Sequence, residues 1–448
     1  MNATERSSSK FFINPVREPL LWIFVASHVF IAVFLGKIYA FAPDEAGYLQ
    51  IFKHTYEKKF STASILGWSN SQTLILRIFY LPAKAMEAVG VPDFLAIRFL
   101  ATGTSAAAVY LLLCIYHLSH VRRFPRTLTI MLVTPSIFLW MTLGLRESFI
   151  YLSLSLILTG FYFFTQGRER VALPFLLFGN LGLFETKSYL FLLVIVSSLV
   201  PIIILLIRSR KGIGRYSYVA IALILPLVIN PAGVKYVSDS IKGQLTSISK
   251  TGSASIAAVT DSNATAASEN IATTASGLKS ALTSQPKSLF SKVLKKLGVK
   301  VAPKPSASPK PSASSPVPEA GSTYRTARLN VSPAKISNPI SAVERTAGFL
   351  FTPFPFIDNG SLFLDIAAFE SPFWWFLYIG FGIALWRRFG RKRVDDLTIF
   401  VLSFTGLFLL FSAFTEINVG TMARHRSVFL IPMLYLILAT PKELSSNK

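Results

Sequence analysis

The sequence predicts an all-α polytopic membrane protein with about ten transmembrane helices. Of its 448 residues, 52% are hydrophobic and only 15% are charged, whereas a soluble domain carries about 25% charged residues. Apolar runs close to the roughly 20 residues that cross a bilayer recur along the chain, and basic clusters separate them. These observations exclude a soluble nucleotide-binding enzyme, a secreted disulfide scaffold and a nucleic-acid binder. The single cysteine, Cys114, excludes a disulfide framework.

Lys and Arg residues between the apolar runs predict the orientation, because they stay on the cytoplasmic side of a membrane. With the N-terminus inside, the short inner loops are basic, whereas the two short outer turns 145–148 and 185–187 carry only Arg146 and Lys187. The chain is therefore expected to be a multi-pass plasma membrane protein with its N-terminus (1–19) and tail (441–448) in the cytoplasm. The predicted spans are 20–39, 94–118, 127–144, 149–164, 171–184, 188–207, 216–230, 372–386, 397–413 and 427–439.

Two long outer segments interrupt the predicted spans. The first, 41–93, contains a semi-apolar stretch at 73–89 that is typical of a helix lying in the membrane interface. The second, 231–345, is rich in Ser, Ala, Thr, Pro and Lys. It lacks the apolar surface needed to offset its ordering entropy, which predicts disorder for most of the segment. An outer-face segment and the last three spans follow in 346–440.

Ionisable side chains next to the spans gather on the predicted outer face. Such residues are expensive near a bilayer and are candidates for function. Helix ends that share one membrane face are able to line a common cavity. The residues are Asp44, Glu45, Arg98, Arg146, Glu147, Glu185, Lys187, Glu416, Arg424, His425 and Arg426.

The first outer loop offers the candidate catalytic residues. Asp44 and Glu45 directly follow Pro43, and either is placed to act as a general base towards an acceptor hydroxyl. Tyr48 lies four residues after Asp44 and would share its helical face, where it is expected to position the substrate. Ordinary capping of a helix start by proline and acids is the alternative explanation.

Arg424, His425 and Arg426 form the complementary basic group. The planar arginine fork suits phosphate oxygens, so the group is expected to bind an anionic substrate; anchoring of a helix end at the interface is the alternative. Arg98, Arg146 and Lys187 are further substrate-binding candidates. For Arg146 and Lys187 the alternative is a local ion pair with an adjacent glutamate.

Two stretches of the chain resemble known enzymes. The Asp44-Glu45-x-x-Tyr48 pattern and the Ala-Ile-Arg-Phe-Leu opening of the second span are similar to membrane-embedded GT-C type glycosyltransferases, such as protein O-mannosyltransferases and lipid A aminoarabinose transferases. The ending Gly-Thr-x-x-Arg-His-Arg at 420–426, followed by Phe-Leu-Ile-Pro, resembles bacterial polysaccharide-assembly proteins of the O-antigen polymerase class. The chain departs from some of these families because its first loop has no Asp-x-Asp pair and no folded soluble domain follows the last span.

The resemblance implies a glycosyltransferase that takes a sugar from a polyprenyl-(pyro)phosphate carrier on the outer face. The acceptor would be a cell-envelope glycan, lipid or protein, and the enzyme would act as a polysaccharide polymerase in one version of this hypothesis. Asp44 would be the base, Glu45 its substitute or a ligand of a divalent metal ion, and Arg424 or Arg426 the phosphate contact. No nucleotide donor is required, and a divalent metal ion is the one cofactor that this hypothesis leaves open. A flippase for lipid-linked sugars and a non-catalytic scaffold of an envelope complex are the alternatives.

Overall fold

Helices form the regular structure in the computed structural model of the chain. The structure describes residues 11–36, 71–119, 135–143, 146–208, 213–229, 339–353, 355, 362–390, 394–415 and 424–438, and these contain no strand. All of them fall within one compact unit made of Met1–Ile248 and Tyr324–Lys448. The helices are α1 (Pro19–Phe34), α2 (Ser71–Ala88), α3 (Asp93–Ser119), α4 (Pro135–Thr142), α5 (Glu147–Thr165), α6 (Glu169–Thr186), α7 (Ser188–Arg208), α8 (Ser217–Ile229), α9 (Pro339–Phe351), α10 (Leu362–Gly390), α11 (Asp396–Thr415) and α12 (Leu430–Leu438).

Several helices have the length and composition of membrane spans. Four are long and apolar enough to cross a bilayer, and they cover Asp93–Leu118, Glu147–Thr165, Ala367–Gly390 and Asp396–Ala413. Three shorter apolar helices cover Pro19–Phe34, Ser188–Ile204 and Gly214–Ile229. The described part of the chain thus carries the helices of a membrane protein, in agreement with the predicted class. The number of ten spans and their orientation stay predictions.

The apolar runs predict the positions of the helices more accurately than they predict the residues at which the helices begin and end. A described helix overlaps each predicted span, and α2 coincides with the semi-apolar stretch at 73–89. The predicted start of one span at 372 is too late, because Pro372 lies inside α10 rather than at its first turn. Residues 41–70 of the first loop and 231–338 of the insertion, for most of which disorder is predicted, lie outside the described residues. The last residues of that insertion, 339–345, are helical and form the start of α9.

Contacts between helix ends fall into two separate groups, one at each end of the paired helices. At one end, Glu18, before α1, pairs with His117 in the last turn of α3 at 3.0 Å. Arg98, near the start of α3, reaches the other end of α1 and donates to the Ala32 carbonyl at 2.9 Å. Helices α1 and α3 therefore run antiparallel, as expected for two spans joined by a loop on one side.

The same division separates the later helices. Arg215, before α8, pairs with Glu169 at the start of α6 at 3.2 Å, and Arg388, near the end of α10, donates to the carbonyl of Leu436 near the end of α12 at 2.7 Å. These residues border the loops predicted to be cytoplasmic. Of the residues predicted to lie outside, four gather in the cluster described below: Glu147, Lys187, Arg424 and His425.

Close contact between α5 and α6 depends on glycine. A Cβ atom at Gly179 of α6 would lie 2.6 Å from Ile157 Cγ1 and 2.7 Å from the Ser153 carbonyl oxygen, both on α5. Distances this short leave no room for a side chain. Because α5 begins at Glu147 and α6 ends beside Lys187, this packing also fixes the distance between two parts of the candidate site.

Gly179→Val is expected to separate α5 from α6 and to destabilise the protein by about 1–3 kcal/mol, the usual cost of overpacking a helix interface. Thermal unfolding of the purified protein in detergent, followed by tryptophan fluorescence, measures the effect. Gly406→Val is the matched control, because a Cβ at Gly406 of α11 meets no atom within 4 Å. Equal melting temperatures for the two variants would contradict the close contact.

Candidate functional site

Three connections that are distant in sequence converge at one cluster of buried polar side chains. Glu147 is the first residue of α5, Lys187 joins α6 to α7, and Arg424 and His425 precede α12. Glu147, Lys187 and His425 are all buried. We call Glu147, Lys187, Arg424 and His425 the outer cluster, because the charge pattern predicts the outer face for all of them.

The ion pair between Glu147 and Arg424 is the centre of the outer cluster. Arg424 Nη2 lies 2.6 Å and Nε lies 2.8 Å from the same oxygen, Glu147 Oε1. The side chain of Glu147 is 1% exposed and that of Arg424 is 14% exposed. The Arg424 guanidinium also lies 5.3 Å from the centre of the Trp140 ring, a distance typical of a cation–π contact.

The second carboxylate oxygen of Glu147 has no hydrogen-bond partner among the described residues. Glu147 Oε2 is buried, and no hydrogen-bond donor contacts it in the part of the chain that the structure describes. The positive charges of Arg424, Lys187 and Arg146 act on this carboxylate. Positive charge from three connections is therefore concentrated around one buried carboxylate.

Lys187 and His425 form the other half of the outer cluster. Lys187 Nζ lies 2.6 Å from His425 Nε2 and 5.1 Å from the centre of the Tyr189 ring. A charged lysine only donates hydrogen bonds, so Nε2 accepts and the imidazole is neutral with its proton on Nδ1. The pair therefore presents one positive charge rather than two.

A short hydrogen-bonded chain fixes the backbone that carries Arg424 and His425. The Ser427 hydroxyl donates to the Arg424 carbonyl at 2.6 Å, and the Tyr151 hydroxyl is hydrogen-bonded to the same Ser427 oxygen. Tyr151 lies one helical turn after Glu147 on α5. The segment before α12 is thus attached to α5 by its backbone as well as by the ion pair.

Arg426 contacts a different part of the molecule from its two basic neighbours. Its side chain is fully buried, and Nη1 donates to the Thr352 carbonyl at 3.2 Å and to Ser371 Oγ at 3.5 Å. Its guanidinium lies 4.9 Å from the centre of the Trp374 ring. Burial lowers the pKa of Arg426, an effect that Tyr378 and Glu370 oppose. These contacts join the end of α9 to α10.

Arg98 and Arg146 differ in their relation to the outer cluster. Arg98 is fully buried and donates to the carbonyls of Ala32 at 2.9 Å and Gly36 at 2.7 Å, which caps the end of α1. Arg146 precedes the first residue of α5 and contributes its charge to the surroundings of Glu147. The ion pair of Glu147 joins it to Arg424 rather than to its sequence neighbour.

Asp44, Glu45 and Tyr48 lie outside the described residues. Described residues on both sides of them in the sequence do contact residues next to the outer cluster. Leu35, just after α1, packs with Leu143 against Trp140, the residue that contacts Arg424. At the other end of the interval, Phe79 of α2 lies 5.0 Å from Phe149, two residues after Glu147. Leu35 before this interval and Phe79 after it therefore both contact residues that adjoin the outer cluster.

The described residues thus form a helical structure with several helices long and apolar enough to span a membrane, and with a cluster of buried charged side chains where helix ends meet. No family model, curated protein or solved structure matches the chain. Among the described residues, no group of three His, Cys, Asp or Glu side chains is arranged to hold a metal ion. Glu45, the residue considered above as a metal ligand, lies outside that set.

Proposed function

We propose that this protein is a GT-C type membrane glycosyltransferase with ten spans and an active site on the outer face. It transfers a sugar from a polyprenyl-(pyro)phosphate carrier to a cell-envelope glycan, lipid or protein, with chain polymerisation as one form of the reaction. The observation that carries the proposal is the outer cluster, in which cations from three connections gather around one buried carboxylate. Such a cluster is suited to a substrate with a phosphate group.

Arg424 and Lys187 hold the donor phosphate in this proposal, and Arg146 and His425 complete the basic wall. The acceptor oxygen attacks the anomeric carbon of the sugar, and the bond between that carbon and the phosphate oxygen breaks. The electron pair of the broken bond stays on the phosphate, where the cations stabilise the developing charge. Asp44 takes the acceptor proton, with Glu45 as its substitute and Tyr48 as a positioning group.

The remaining candidates act from a distance. Arg98 fixes the end of α1, where the interval carrying Asp44 begins, and is therefore a positioning residue. Arg426 fixes the turn after α9 and adjoins His425, so its contribution to phosphate binding is through the backbone it holds. The lipid tail of the carrier lies in the bilayer between the apolar helices of the protein. The donor therefore reaches the site from the membrane.

Asp44→Asn is expected to reduce sugar transfer by at least about 100-fold, within the range that a general base contributes. The measurement uses proteoliposomes that contain the purified protein, labelled sugars linked to undecaprenyl phosphate, and an envelope extract as acceptor. Release of undecaprenyl phosphate with transfer of the label scores activity.

Glu87→Gln is the control for this experiment, because Glu87 lies on α2 in a partly exposed pair with Lys84. Normal transfer by Asp44→Asn would remove Asp44 from the mechanism. Movement of the labelled carrier across the bilayer without any transfer product would replace the enzyme by a transporter.

A further inference from the structure

The outer cluster already contains an anion where the donor phosphate is expected to bind. Arg424 Nε and Nη2 both contact one oxygen of Glu147. A phosphate that used the same two donors would have to take the place of this carboxylate oxygen. The ion pair is therefore a competitor of the substrate as well as a structural contact.

Displacement of the carboxylate would leave Glu147 in a supportive environment. Lys187 and Arg146 act on the Glu147 carboxylate in addition to Arg424, and Glu147 Oε2 is buried with no donor among the described residues. The Glu147 carboxylate has one oxygen without a donor and two further cations nearby. Giving up Arg424 therefore costs it less free energy than the same loss would cost a carboxylate without other cations nearby. A phosphate offers more acceptor oxygens than the carboxylate and carries equal or greater charge, so the exchange is favourable for Arg424.

We propose that Glu147 is the resident counter-anion of a phosphate subsite formed by Arg424 and Lys187, and that a lipid-linked phosphate binds by displacing the Glu147 carboxylate from the Arg424 guanidinium. This inference rests on the proposed function, since it concerns the donor site of that enzyme. Binding is then an exchange of anions, and the charge of Arg424 stays compensated before and after. Glu147 weakens binding because its carboxylate competes for the guanidinium and repels the incoming phosphate.

The test compares binding of undecaprenyl monophosphate to wild-type protein and to Glu147→Gln in nanodiscs of phosphatidylcholine. Removal of the carboxylate charge should tighten binding by about tenfold, since the competing and repelling anion is gone while Arg424 and Lys187 remain. Glu87→Gln should bind like the wild type. Inorganic phosphate and phosphatidic acid are titrated in parallel and should both bind more weakly than undecaprenyl monophosphate.

The outcomes separate the two proposals. Binding by the wild type without any gain for Glu147→Gln would overturn the exchange alone. Failure of the wild type to bind any of the three phosphates would overturn the donor site and with it the proposed function. Inorganic phosphate or phosphatidic acid binding as tightly as undecaprenyl monophosphate would exclude a polyprenyl-specific donor site.

A second measurement applies if Glu147→Gln unfolds during purification, because the variant leaves Arg424 without its counter-anion. Solubilisation in the presence of undecaprenyl monophosphate should then restore the yield and the melting temperature towards the wild-type values, whereas phosphatidylcholine should not. Absence of rescue by the phosphate lipid would overturn the exchange.

Discussion

Arg424→Met is expected to lower the free energy of unfolding by about 3–5 kcal/mol, because it removes one partner of a buried ion pair. Glu147, only 1% exposed, would keep its carboxylate in the protein interior without the two bonds of 2.6 and 2.8 Å that now compensate it. Unfolding of the purified protein in detergent, followed by tryptophan fluorescence, measures the loss.

A double substitution separates the ion pair from simple packing. Glu147→Met combined with Arg424→Met replaces both charges by apolar side chains and should recover most of the stability that Arg424→Met loses. The coupling energy between the two sites is expected to exceed about 2 kcal/mol, in the upper range for residues in direct contact. Losses that simply add would show that the two side chains contribute independently.

An exposed ion pair provides the matched control. Lys84 and Glu87 lie 3.4 Å apart on α2, and their side chains are 40% and 28% exposed. Lys84→Met should therefore cost less than about 1 kcal/mol, as is usual for pairs in contact with solvent. A loss as large as that of Arg424→Met would mean that burial is not the cause of the effect at Arg424.

Local sequence patterns were sufficient to predict where the apolar helices lie, because the apolar composition of a segment reflects the apolar environment of its helix. They were less informative about helix ends. Pro372 resembles the proline of a first helical turn, yet α10 begins at Leu362 and includes Pro372 in its interior. The position of one proline is therefore a weak guide to where a helix begins.

The candidate site shows the same contrast between local and long-range information. The charge pattern predicts a common outer face for Lys187, Arg424 and His425, and the structure brings these three together. Glu147 was counted among the ionisable residues of the outer face but was assigned no role in binding or catalysis, because its neighbour Arg146 offered a local partner. Its actual partner is 277 residues away, and such a pairing depends on how the helices pack. The one sequence feature that pointed to Glu147 is a carboxylate at the start of an apolar helix.

Arg426 shows that basic residues close together in sequence need not share one function. In sequence, Arg424 and Arg426 look equivalent, and both were expected to contact phosphate. The chain is helical at these residues, and two positions separated by one residue lie about 200° apart around a helix. Arg424 therefore faces Glu147 of α5, whereas Arg426 faces Thr352 and Trp374.

Arg426→Met is expected to cost about 3 kcal/mol of stability, because Arg426 is a fully buried connector between α9 and α10. The substitution leaves the Thr352 carbonyl without the Nη1 donor at 3.2 Å. It also removes a positive charge that interacts with the buried carboxylate of Glu370. Glu370 accepts a hydrogen bond of 2.9 Å from Trp374 Nε1. The melting temperature and the yield of folded protein measure the change.

Further variants identify which property of Arg426 matters. Arg426→Lys keeps the charge but loses the planar fork that reaches several acceptors and stacks on Trp374, so its stability should fall between those of the wild type and Arg426→Met. Addition of Glu370→Gln to Arg426→Met should recover part of the loss, because it removes the carboxylate left behind. Arg387→Met, at an exposed position of α10, should be close to neutral. Wild-type stability of Arg426→Met would exclude the connecting role and return Arg426 to the set of phosphate-binding candidates.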